Sequence, residues 1–282
     1  MAGVFRSRPV EIVDGEGKLL HFGIRSVNYL ILHIQVFGDI IITRDKSEFC
    51  EDAYMDIALY YQEKGNKEPL ILLHGNGEDS SYFKNQIAYF CDRYRVIALD
   101  TRGHGKSPRG TRPFTIAQFS QDLYDFMTGL GILDAFILGF SDGANIAMQF
   151  AIQYPDKVKA LILNGGNLNP KGVKRATQIP IEIGYTIARR FASKTLTAKK
   201  NAELLGLMVN EPNIEPNELS KITAPTLVIC GTHDVIKKSH TKEIAGHIPN
   251  AKLSMIKGNH FIANKSSAAF NKEVEKFLET IS

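Results

Sequence analysis

Cysteine is scarce in this 282-residue chain: Cys50, Cys91 and Cys230 are odd in number and far apart. That excludes a disulfide framework and favours reduced thiols in a cytoplasmic protein. Long hydrophobic runs are also missing. The most apolar stretch, Tyr29 to Thr43, is broken by His33, Gln35 and Asp39 and is too short to span a bilayer, so no stable membrane insertion is expected. It does not read as a signal peptide, because Glu11, Asp14 and Glu16 precede it and no small-residue cleavage site follows. Internal repeats and low-complexity tracts are absent. Neither sign of charge dominates: 34 Lys and Arg face 30 Asp and Glu, a net +4 that does not suggest a nucleic-acid partner. What remains is ordinary globular composition, long enough for one large α/β domain or two small ones.

From about residue 55 short apolar runs alternate with amphipathic stretches of helical length. The runs are Pro69 to Gly75, Arg95 to Asp100, Ala135 to Phe140, Lys159 to Gly165, Thr226 to Gly231 and Lys252 to Gly258. Rich in Ile, Leu and Val without polar alternation, they predict parallel strands buried on both faces. Between them, patterns such as Ile116, Phe119, Leu123 and Phe126 predict helices covering the sheet. The rhythm breaks once: about 167–218 holds only helix-like segments, among them 181–192 and 198–209, and is expected to be an inserted helical cap. A helix over 273–281 closes the chain. The expected organisation is therefore an N-terminal extension over 1–48, with a β-hairpin around Asp14 and Gly15, followed by one α/β domain over 49–282.

Candidate chemistry centres on Gly139-Phe140-Ser141-Asp142-Gly143. The G-x-S-x-G pattern is weak alone, since a serine in a tight turn can simply cap a helix. Here a strand (Phe136 to Leu138) runs in and a helix (Ala144 to Tyr154) runs out, the setting of an exposed nucleophile at a strained turn. An alcohol nucleophile needs a base, a group to orient the base, and donors for the developing oxyanion. Open α/β sheets place such groups beyond the C-terminal strand ends. Asp234 and His260 stand there, after the last two strand signals, in the order Ser, Asp, His. The alternative acid position, after the preceding strand, carries Asn164, which holds no charge. After the first strand come His74, Gly75, Asn76 and Gly77, whose flexible backbone can supply an oxyanion N–H, with that of Asp142 as the second; Gly75 and Asp142 are candidate substrate contacts. His74 is expected to be structural. Gly105-Lys106-Ser107 is not a phosphate loop, because Asp100 stands where such a loop needs glycine.

Taken in order, "LLHGNGED", "VIALDTRGHGKS", "GFSDG", "GTHD" and "GNH" resemble the signature segments of the α/β-hydrolase superfamily across residues from about 50 to 282. The Ser-Asp-Gly elbow is more loosely similar to that of biphenyl hydrolase-like (valacyclovir hydrolase) esterases. The resemblance implies a mostly parallel, twisted sheet with helices on both faces and a small helical cap. It also implies a Ser141–His260–Asp234 triad and an oxyanion hole from the backbone of Asn76 and Asp142, with no cofactor and no metal. The expected partner is a small-molecule ester, thioester or lactone, cleaved through an acyl-enzyme. Acyltransfer, C–C hydrolysis or a non-hydrolytic ligand receptor on the same scaffold are the alternatives, and the oligomeric state stays open. Asp142 has two readings: a hydrogen-bonded carboxylate in the first turn of a helix, or a group reading a cationic substrate. The eight cations between Lys171 and Lys200 read first as a solvated helix face, with steering of an anionic substrate or lipid surface as the alternative.

Overall fold

The computed structural model describes residues 56–281 and the backbone of 11–13 and 19–21. The chain divides into two units, 1–52 and 53–282. In the first, β1 (Glu11–Val13) pairs antiparallel with β2 (Leu19–His21), with Val13 opposite Leu19. The Asp14-Gly15 turn expected between them lies outside the described residues.

The second unit is built on seven strands: β3 (Tyr61–Lys64), β4 (Pro69–Leu73), β5 (Arg95–Leu99), β6 (Ala135–Phe140), β7 (Val158–Asn164), β8 (Thr226–Gly231) and β9 (Ala251–Ile256). Their order is β3-β5-β4-β6-β7-β8-β9, with β3 antiparallel to β5 and every other pair parallel. The six apolar runs are the six parallel strands. β3 is an addition to that reading. Its sequence, Tyr-Gln-Glu-Lys, is polar because an edge strand with one neighbour is largely exposed.

Successive side chains of a strand point to opposite faces, and β4 to β8 bury both, whereas β9, expected to be buried like the others, is an edge strand with no buried residue. Ile71, Leu73, Ile97, Leu99, Ile137, Leu161 and Leu163 enter one core with α2 (Ile116–Gly129), α3 (Asp142–Gln153) and Ile244 of α6 (Lys238–His247). Leu70, Leu72, Val96, Ala98, Leu138 and Ile162 enter the other, against α1 (Lys84–Phe90) and α8 (Ser267–Leu278), with the short α7 (Ile262–Lys265) beside them.

Between β7 and β8 the chain forms α4 (Arg175–Phe191) and α5 (Leu196–Asn210), packed on each other with Gly184 facing Leu205 and Gly206 facing Tyr185. α4 begins six residues before the helical pattern read from Ile181, and runs through Pro180. Proline has helical φ, so in the second turn it removes one intrahelical bond, that to the Ala176 carbonyl, without ending the helix. Among the parallel strands the chain lays down β4 first, then β5 on one side of it, and crosses back to β6 on the other. The C-terminal ends of β4 and β6 therefore border the point where the winding reverses, where an open α/β sheet leaves a crevice.

Candidate active site

Ser141 sits at the turn from β6 into α3 with φ 54° and ψ −119°, the one described non-glycine residue with positive φ. Such a conformation survives only where its surroundings force it. The two flanking glycines show the forcing. A Cβ on Gly139 would lie 2.2 Å from the Gly143 carbonyl oxygen, and one on Gly143 would lie 2.0 Å from that of Leu73. The turn is thus pressed against β4 with no room for a side chain on either side of the serine. The Ser141 N–H is fixed to the Asn164 carbonyl at 2.8 Å. α3 begins at Asp142, two residues earlier than its sequence pattern, because the N–H groups of Ala144 and Asn145 both bond the Ser141 carbonyl.

Ser141, His260 and Asp234 form one hydrogen-bonded row. The His260 Nε2 lies 3.0 Å from Ser141 Oγ, and its Nδ1 lies 2.7 Å from Asp234 Oδ1. A carboxylate only accepts, so Nδ1 carries the proton and Nε2 turns a lone pair to the serine hydroxyl. Burial works against charge on Asp234, yet the His260 ring and the N–H groups of Ile236 and Gly231 hold its carboxyl below the usual range. The imidazole is clamped from the side by Phe140, whose ring centroid is 4.9 Å away and is itself stacked on Tyr82 at 4.6 Å. Asn164 bonds the Ile229 carbonyl instead of the histidine.

A cavity of about 260 Å³ opens above this row, bordered by Gly75, Asn76, Phe140, Ser141, Asp142 and His260 from the sheet side. Val173, Thr177, Gln178, Ile181, Met208 and Glu211 border it from the α4–α5 side. Asp142 is the first residue of α3, so its N–H has no intrahelical acceptor. Its side chain is engaged: Oδ2 accepts from Asn76 Nδ2 at 2.9 Å and Oδ1 from Asn145 Nδ2 at 3.2 Å. Burial pushes its carboxyl up, against the pull of those two amides. The Asn76 amide also donates to the Leu204 carbonyl of α5 at 2.9 Å, joining that helix to the elbow. His74 lies behind the site, its ring bridging the Gly75 carbonyl and the Thr101 N–H.

Three groups in the cavity wall escaped the sequence reading. Glu78 has a buried Oε2 with no partner, and burial raises its carboxyl to about 7. Gln178, almost wholly buried, uses its amide N–H on the Met208 carbonyl and leaves Oε1 unpartnered. Burial also raises the Glu211 carboxyl, which caps α2 by accepting from the Ile116 N–H at 2.6 Å. Only Glu78 carried a signal, its place in the loop after β4; the others converge from distant segments. Among the described residues no His, Cys, Asp and Glu converge as a metal-ligand set.

A family described as the alpha/beta hydrolase fold matches residues 68–204. The fold is that of the alpha/beta hydrolases. A 3-oxoadipate enol-lactonase of Acinetobacter baylyi is 28% identical over 252 residues, covering 79% of this chain and 94% of the enzyme. The crystal structure of an enol-lactonase from Burkholderia xenovorans superposes with TM-score 0.65 at 25% identity, covering 79% of this chain and 97% of that one. A thermophilic esterase from Thermogutta terrifontis shares the fold at TM-score 0.66 and 22% identity, covering 80% and 96%. Within this fold, Ser141 occupies the strand–turn–helix corner and the α4–α5 pair lies in the β7–β8 connection.

Proposed function

We propose that the protein is a serine hydrolase that cleaves a small carboxylic ester or lactone through an acyl-enzyme. One observation carries the reading: the unbroken row Ser141–His260–Asp234 beneath a cavity, with the serine in a strained turn. His260 Nε2 takes the Ser141 proton as Oγ adds to the substrate carbonyl. The oxyanion rests on the N–H groups of Asn76 and Asp142. The imidazolium, stabilised by Asp234, returns its proton to the departing alkoxide as the C–O bond breaks. Water, deprotonated by His260, then releases the acid and restores Ser141. In a lactone the leaving alkoxide stays attached, and the product is a hydroxy acid.

The α4–α5 pair serves as a cap over this reaction. The cavity favours a compact substrate, apolar where it meets Phe140, Ile181, Met208 and Ile236. The enol-lactonase relatives support the lactone side of this class. The test is turnover of p-nitrophenyl acetate and of a panel of lactones by wild type and Ser141→Ala, with mass spectrometry after fluorophosphonate treatment. Loss of the nucleophile is expected to lower kcat by about 10⁶, with the label on Ser141. Equal turnover in the two proteins, or a label elsewhere, overturns the assignment.

A further inference from the structure

Nine large apolar side chains are substantially exposed among the described residues, and five of them fall between residues 179 and 196. Single exposed hydrophobics are ordinary, but a run of this kind needs an account. Ile179, Ile183, Ile187 and Phe191 recur every four residues along α4 and are 43%, 57%, 56% and 43% exposed. Leu196, which opens α5, is 87% exposed. At about 100° per residue this spacing is one continuous stripe. Thr177, Gln178 and Ile181, which border the cavity, fall on the opposite side of the same helix. The stripe is therefore not the cavity-facing side of the helix, nor is it covered by α5.

The charge around it has one sign. Residues 171–200 contain eight Lys and Arg and a single acid, Glu182, which pairs with Arg175. Arg189, Arg190, Lys194, Lys199 and Lys200 cluster at the end of α4 and the start of α5, all exposed, and form no ion pair with the described residues. Lys194 lies with its ammonium 4.9 Å from the Phe191 ring, the reach expected of a cation at the rim of an apolar strip. A second copy of the chain is a poor occupant, because a two-fold contact would set these cations against themselves. A surface that is apolar below and anionic above satisfies both features.

We propose that the exposed face of α4, with the first turn of α5, docks on an anionic lipid surface. The helix lies in the interface plane, its four-residue stripe in the acyl boundary and its basic rim among the headgroups. No described helix is long and apolar enough to cross a membrane, so the attachment is peripheral and reversible.

The experiment is co-sedimentation of the full chain with phosphatidylcholine vesicles, with and without phosphatidylglycerol. It requires no catalytic activity, so its outcome is separate from that of the proposed hydrolysis. Wild type is expected to pellet with the anionic vesicles and to be released by salt. Ile183→Glu with Ile187→Glu, and separately Arg190→Glu with Lys194→Glu, are each expected to weaken partitioning by about tenfold or more. Hydrolysis of a soluble short ester should be unchanged in both. Ile187→Ser alone, with a smaller loss, serves if a double variant fails to fold. Wild type left in the supernatant overturns the proposal, as do equal binding to neutral vesicles and binding that survives both double variants. Sedimentation velocity gives the last check: a dimer that these substitutions dissolve assigns the face to a second copy and also overturns it.

Discussion

Helix α3 starts at the cavity and helix α4 borders it, yet their side chains meet opposite surroundings. Eight of the twelve residues of α3 are buried, among them Ile146, Met148 and Phe150, and it starts at the strained serine. Of the seventeen residues of α4 only Gln178 is buried. Ser141 thus hangs from an element that the core over-determines, while α4 packs chiefly on α5 and can respond to what it meets. That division suits chemistry that tolerates little error in position below and a variable ligand above.

The largest effect should come from the rigid side. Asp234→Asn keeps the size of the side chain but lets the imidazole settle in the wrong tautomer, so kcat is expected to fall by about 10⁴ with KM little changed. A loss of only a few-fold, measured on the same ester, breaks the claim that the row acts as a unit. Stability should split along the same line. Met148→Ala, in the fully buried half of α3, is expected to cost about 2–5 kcal/mol in urea unfolding. Ile187→Ala, on the open face of α4, should change stability by no more than about 0.5 kcal/mol. Similar values for the two would remove the distinction between the helices.

The smallest effect concerns Glu78, whose carboxyl rises from 4.5 to about 7 through burial. Between those two values the folded protein holds a proton that the unfolded chain has lost, so stability falls as pH rises across this window. Glu78→Gln removes the titration. Its melting temperature relative to wild type should therefore climb through the window and level off above about 7. A difference that does not vary with pH would show that the group does not titrate there.

Strands β4 to β8 were legible because a strand buried on both faces leaves little reason for polar residues; β9, at the edge, keeps Lys252 and Ser254 and was read on its Leu253, Met255 and Ile256. β3 was not, since pairing on one side only lets Gln62 and Glu63 stay exposed and erases the signal. The start of α4 was hidden by Pro180, a residue that usually marks a boundary. Ser141, Asp234 and His260 could be named because this kind of chemistry sits where strands end, and the structure brings those three side chains into contact. Glu78, Gln178 and Glu211 could not be grouped: they reach the cavity from a loop, a helix and a helix end, and only the folded chain makes them neighbours.

The Asn76 side chain has two N–H groups, and both are occupied, one by Asp142 and one by the Leu204 carbonyl. A ligand bulky enough to lift α5 must strip one of those bonds while loosening Asn76, whose N–H is one of the two proposed oxyanion donors. Size discrimination then needs no steric wall. A guest that is too large weakens the proposed anion cradle by the same movement that admits it, so selectivity would show in turnover before it showed in binding.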